Sequence, residues 1–245
     1  MKYAIISDIH SNLEAFRTVL DRIHQEKVDK IVCLGDLVGY NANPNECVEL
    51  SKNENIQCIL GNHDAAVVGK ADINFFNVIA KQAILWTKKK LTTKNIQFLE
   101  SLSENCFIDS DFFIVHGSPA DRDEYIFTLR EAKHHFEYLK KNSIRLCFFG
   151  HTHRRSLYQL TSKGNFKDKT GEESLKLRKS NYYMINPGGV GQPRDSDPRA
   201  SFLFYDSDKN IIEMVRLEYD INKCAKKVLD AGLDVRLAQR LFFGM

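Results

Sequence analysis

YAIISDIH, residues 3–10, is an apolar run that turns polar at its end, and the residues after it decide how it is used. Ser11 and Asn12 can cap a helix, and Leu13, Phe16, Leu20 and Ile23 then recur at helical spacing. KIVCLGD (30–36) is a second short apolar run, ending in Gly-Asp, with a polar turn and a helical stretch at 44–53 behind it. IQCILGNHD (56–64) repeats the pattern. Strand, helix, strand, helix, strand predicts a parallel sheet with right-handed crossovers, and so an α/β fold.

Further along, residues 72–103 read as mainly helical. NCFID (105–109) and DFFIVHG (111–117) read as two strands about an Asp-Ser-Asp turn, before a helix near 130–142 and the run RLCFFGHTH (145–153). The second half changes character. SLYQLT (156–161), SLKLRKSNYYMINPG (174–188) and SFLFYDSDKNIIEMVRLEYD (201–220) suggest antiparallel strands and hairpins, and 162–174 an exposed loop. Two helices, 221–231 and 234–242, are expected at the end, with Gly232 stopping the first. Residues 1–245 are read as one domain, with the C-terminal helices in 221–243 packing on it.

The composition, 43% hydrophobic and 27% charged residues, is that of a globular chain, and 245 residues suffice for a substantial core. A formal net charge of +3 argues against broad attraction to long nucleic acid or membrane. No apolar run is long enough to cross a bilayer, and no leader is read at the N-terminus, so a cytoplasmic protein is expected. Six scattered cysteines without a CxxC pair fit buried free thiols.

The polar ends of the apolar runs line up as Asp8-Ile9-His10, Gly35-Asp36, Gly61-Asn62-His63-Asp64, His116-Gly117 and Gly150-His151-Thr152-His153. In open α/β sheets ligands bind beyond the carboxyl ends of the strands, where all of these fall. Carboxylate oxygen, imidazole nitrogen and one amide oxygen suit manganese, iron or zinc better than calcium or magnesium, which prefer all-oxygen shells. The ligands are too many for one ion. Two divalent ions about 3.5–4 Å apart with a bridging carboxylate would use them all.

The ordered set DxH, GD, GNHD, HG, GHTH resembles the calcineurin-like metallophosphoesterases over nearly the whole chain. The resemblance implies a four-layer α-β-β-α sandwich with two mixed β-sheets inside. It implies that Asp8, His10, Asp36 and His153 hold one metal ion and that Asp36, Asn62, His116 and His151 hold the other, Asp36 bridging. It makes His63 the catalytic histidine, an imidazolium over the scissile bond, with a metal-bridging hydroxide attacking phosphorus in line. One departure stands out. The protein-phosphatase branch reads GDxxDR, its second Asp orienting the catalytic histidine, whereas Gly39 and Tyr40 stand in the last two places here. Asp64 is read either as the substitute or as a turn residue.

GDLVGYNANPNECV (35–48) and NPGGVGQPRDSDPRASF (186–202) resemble a narrower bacterial and archaeal subgroup of small phosphodiesterases, described as diadenosine-tetraphosphatase-like. Gly188, Gly189 and Gly191 would let the backbone approach a ligand. Arg194 and Arg199 would grip remote phosphates or pair with Asp195 and Asp197; Tyr40 would stack on a base or cover the sheet edge. Lys88 to Lys90 read as a solvated face, His134 and His135 carry no metal, and LFFGM (241–245) is a candidate homodimer contact. The expectation is a dinuclear phosphoesterase acting on phosphodiester or phosphoanhydride bonds of small nucleotides. The competing readings are a general or cyclic-nucleotide phosphodiesterase and a non-catalytic metal-binding scaffold.

Overall fold

A computed structural model describes residues 1–245, in which twelve strands form two six-stranded sheets. β1 (Lys2–Ile6) runs parallel to β2 (Lys30–Cys33), and β2 to the two-residue β3 (Gln57–Cys58). On its other side β1 pairs antiparallel with β11 (Ala200–Asp206), which leads through β12 (Ile211–Leu217) to β9 (Ser174–Lys176). The second sheet runs β4 (Asn105–Ile108), β5 (Phe112–Val115), β6 (Leu146–Phe148), β10 (Tyr182–Pro187), β7 (Arg155–Leu160), β8 (Phe166–Asp168). Both sheets are mixed, as expected.

The layers follow from two-residue alternation on strands buried on both faces. Tyr3 and Ile5 of β1, with Val32, Leu203 and Tyr205, meet Ile114, Phe148 and Ile185 of the other sheet in the core between the sheets. Ala4 and Ile6, with Ile31, Cys33, Phe202 and Phe204, face outward onto α1 (Leu13–Gln25) and its neighbours α2 (Pro44–Asn53), α3 (Asn62–Val68) and α5 (Thr93–Glu100). Phe113, Cys147, Tyr158 and Met184 pack on α6 (Leu129–Lys141). Three parallel cores separate four layers.

Local signals account for the boundaries. Asn12 caps α1, its side chain accepting from Ala15 N, and Thr128 and Glu131 form a capping box on α6. GNHD, the polar end of its apolar run, opens α3. One expectation needed correction: 162–174 is not all loop, since Phe166 to Asp168 pair with β7 as an edge strand. The run 174–188 does not stay in one sheet: β9 belongs to the first and β10 to the second. The last helices, α7 (Ile221–Asp230) and α8 (Val235–Leu241), pack with α4 (Val78–Lys90) over Tyr40. No helix is long and apolar enough to cross a membrane.

Candidate metal centre

The five motif loops leave the carboxyl ends of β1, β2, β3, β5 and β6, and backbone bonds tie the first to the second and the fourth to the fifth. Asp8 N donates to Gly35 O, His10 N to Asp36 O, Gly150 N to His116 O and Gly191 N to Asp8 O. Sharp turns at these ends put Asp8, His10, Asp36, His151 and His153 all at positive φ, between 46° and 67°. Non-glycine residues rarely hold that conformation, and a cluster of them marks a site where geometry outweighs local strain.

Asp8, His10, Asp36, His63, His116, His151 and His153 are all almost fully buried. Hydrogen bonds to carbonyls fix which imidazole nitrogen is left over. His10 Nδ1 reaches Val38 O at 3.1 Å, His153 Nδ1 reaches Gln192 O at 2.6 Å and His116 Nδ1 reaches Leu34 O at 2.7 Å. A carbonyl only accepts, so each Nδ1 carries a hydrogen, leaving Nε2 as the inward atom. His151 is the reverse: its Nε2 meets Asp123 O at 3.1 Å, which turns Nδ1 inward.

Burial pushes His10 and His153 well below the ordinary imidazole pKa, and holds His151 at about 3. These rings are therefore neutral. Two bare lone pairs, His10 Nε2 and His153 Nε2, then face each other at 3.1 Å, an arrangement that calls for a cation.

The carboxylates are split the same way. Asp8 Oδ2 accepts from His151 N at 3.2 Å, and Asp36 Oδ1 from His63 N at 2.9 Å. Asp8 Oδ1 and Asp36 Oδ2 are buried with no hydrogen-bond partner. Asp8 Oδ1 lies 3.4 Å from His153 Nε2, while Asp36 Oδ2 is 3.4 Å from both His10 Nε2 and His116 Nε2. Asn62 Oδ1 is 3.1 Å from His116 Nε2. Three overlapping groups of ligand atoms result: Asp8, His10 and His153; His10, Asp36 and His63; Asp36, His116 and His151. Burial raises Asp8 to about 6, whereas for His116 the Asp36 carboxylate outweighs burial and raises it to about 9. Protons thus stand where a metal ion would supply positive charge.

A match to the family model for the calcineurin-like phosphoesterase superfamily domain spans residues 1–210. The chain belongs to that superfamily. Its members are metal-dependent hydrolases of phosphoester bonds, and the buried Asp, His and Asn cluster offers the mixed oxygen and nitrogen donors that divalent metals take. An uncharacterised protein of Methanocaldococcus jannaschii is 41% identical over 248 aligned positions, covering 98% of this chain and 97% of the relative. The crystal structure of a metallophosphoesterase from Sphaerobacter thermophilus is 38% identical with a TM-score of 0.85, covering 100% and 99% of the two chains. A hypothetical protein from Pyrococcus horikoshii, 18% identical, shares the fold at a TM-score of 0.82 over 100% and 98%.

Within this phosphoesterase the remaining sequence candidates separate. Asp64 does not reach His63; its carboxylate accepts from Leu37 N, Val38 N and Gly61 N, tying the start of α3 to the turn after Asp36. His63 is held by its neighbours' rings instead, with Tyr40 at 4.4 Å and Phe76 at 5.1 Å between centroids. Its Nδ1 is buried without a partner. A Cβ on Gly39 would lie 2.8 Å from the Nδ1 atoms of both His10 and His63, so the imidazoles fill the place where an orienting Asp side chain would start.

Of the two readings of Arg199, the structure shows the pairing: its guanidinium binds Asp197 with Nε and Nη2. Arg194 is not paired with Asp195, which holds Arg216 instead. It lies over the Tyr40 ring at 5.3 Å with its Nε buried and unpartnered. The close approach made by Gly191 is to the chain itself: a Cβ there would sit 1.8 Å from Ile9 O.

A cavity of about 580 Å³ opens over the cluster, lined by Tyr40, Asn62, His63, Phe75, Arg122, Tyr125 and His151 among others. Tyr125 stacks on His151 with centroids 3.8 Å apart. Sequence reasoning missed Tyr125, Phe76 and Arg122, which lie in loops with no motif of their own.

Proposed function

We propose that this chain hydrolyses phosphodiester or phosphoanhydride bonds of small nucleotides, with two divalent metal ions sharing Asp36. The observation that carries the reading is Asp36 Oδ2, a buried and unpartnered oxygen equidistant at 3.4 Å from imidazole nitrogens of both ligand groups. Asp8, His10 and His153 would complete one ion's ligands, and Asn62, His116 and His151 the other's. Such a pair supplies the charge that polarises a phosphoryl group and the hydroxide nucleophile at neutral pH.

His63 is the group placed to serve the leaving oxygen. Burial holds its pKa at about 4, so the resting ring is neutral, and the negative charge of a bound phosphate favours the protonated form. The rings of Tyr40 and Phe76 set its angle. Arg194 offers an unpartnered N–H to a second phosphate, and the faces of Phe75 and Tyr125 at the cavity rim offer surfaces for a base.

The test is turnover by metal-stripped protein given back Mn²⁺, Fe²⁺, Zn²⁺ or Mg²⁺, on diadenosine tetraphosphate, cyclic nucleotides, ATP and bis-p-nitrophenyl phosphate. Metal-restored cleavage of a nucleotide is expected, with the dinucleotide the first candidate. Cleavage of the artificial diester alone would leave a phosphodiesterase without nucleotide preference. Binding of metal without turnover of any substrate would make the chain a scaffold.

A further inference from the structure

At the end of the sheets opposite the metal loops, the edge strands β8 and β9 border a cavity of about 850 Å³. Tyr183 near the start of β10 is in its wall, whereas Pro187 at the end of β10 leads into the loop of Arg194. At about 3.3 Å per residue that strand alone separates the two sites by roughly 15 Å. Seven of the cavity's residues are basic and none is acidic.

Lys169 is held by Glu172 and Lys209 by Asp206. Lys163, Lys167, Lys176, Arg178 and Lys179 form no ion pair, so five uncompensated cations face one concavity on a chain whose whole net charge is +3. Asp111 lines a smaller adjoining pocket, where it senses Lys179.

The floor is ordered. The buried Tyr183 hydroxyl oxygen accepts from Arg178 N at 2.9 Å, Gln159 Nε2 at 3.0 Å and Asn181 Nδ2 at 3.2 Å. That fixes both amides and the turn bearing Arg178 and Lys179. The apolar lining is only Leu175, Leu177 and Tyr183, and Tyr183 is 2% exposed, so no ring face is open to a base. The volume falls in the range of small-molecule sites. Concentrated like charge in a concavity focuses the field on a multiply charged anion.

We propose that this cavity binds a compact polyphosphate, a small molecule carrying three or more phosphate groups that are linked in a chain or clustered on a ring. Charge selects it; no base is read. Because β8 and β9 belong to different sheets, the ligand bridges the two sheets at this edge.

The test is calorimetry on the metal-loaded protein at fixed ionic strength, with tripolyphosphate as the linked probe and inositol hexakisphosphate as the clustered one. Saturable binding of one of them is expected, and which one identifies the source. The triple substitution Lys167→Ala, Lys176→Ala, Lys179→Ala should weaken it by about tenfold or more, with diester turnover and melting temperature retained. Lys163→Ala with Arg178→Ala, which shares no position with the triple, should do the same. Arg194→Ala should leave this binding intact, which separates it from binding at the metal loops. Unchanged affinity in both cavity variants would overturn the proposal, as would equal binding of orthophosphate, or binding of a single-stranded oligonucleotide but of neither polyphosphate.

Discussion

His10 and His153 direct unprotonated Nε2 atoms at each other over 3.1 Å, and each is held there by a carbonyl behind its Nδ1. A site built this way keeps its ligands in the correct tautomer before any ion arrives. Asp36 divides its oxygens, one on His63 N and one toward both ligand groups. On the proposed two-ion reading, Asp36→Asn should therefore weaken both sites together, read as a lower metal content at saturation and weaker titration of both ions. His63→Ala should retain metal, since the ring contacts Tyr40, Phe76 and His10 through its faces and edges and other ligand sets remain complete without it. Turnover of a substrate with a poor leaving group should fall about 10²–10⁴-fold. Full activity on such a substrate would remove His63 from the mechanism.

At the scale of elements, the short helix α3 carries more of the site than its seven residues suggest. Its first turn holds Asn62 and His63, and Asp64 on the same turn accepts from two backbone N–H groups of the loop after Asp36 and from Gly61 N at the helix's own cap. Asp64→Ala leaves those buried donors without an acceptor and should cost about 2–4 kcal/mol, seen as a lower urea midpoint at unchanged m. Asp64→Asn keeps one acceptor oxygen and should restore part of the loss. The sequence GNHD showed which residues matter but not that they start a helix. Asp64's role was open between orienting His63 and bracing a turn, because only the packed loops show that its carboxylate faces Leu37 and Val38 rather than the ring.

Across the whole molecule, seven buried groups from loops of both sheets share one electrostatic environment. His116, raised to about 9, holds a proton more tightly folded than unfolded. Its contribution to stability is complete below its unfolded value of about 6.5 and is lost as pH rises through 9. Asp64, raised by burial to about 7, acts in the same direction, its protonated form being favoured in the fold. The depressed His10, His63, His151 and His153 act the opposite way, but only near and below pH 6.5, so metal-stripped protein should melt at progressively lower temperature from about pH 7.5 to 9. Added divalent ion should raise the melting temperature and flatten that slope, because it replaces the proton on His116. A melting temperature rising with pH between about 7.5 and 9 in stripped protein would contradict the assignment.

The repeated passage from apolar run to polar turn, with helical spacing behind it, determined the α/β class and the position of the motifs, since periodicity and turn chemistry are local properties. Those same runs named Asp8, His10, Asp36, Asn62, His63, His116, His151 and His153 as the residues to be brought together. What local pattern does not carry is distance between loops. Only the packed sheets set Asp36 Oδ2 between two imidazoles, laid Arg194 over Tyr40, and brought Tyr125 onto His151. Only they gathered scattered lysines of the second half into one concavity. Each of these depends on contacts between segments far apart in the chain, and the geometry of such contacts is fixed by the packing of whole layers.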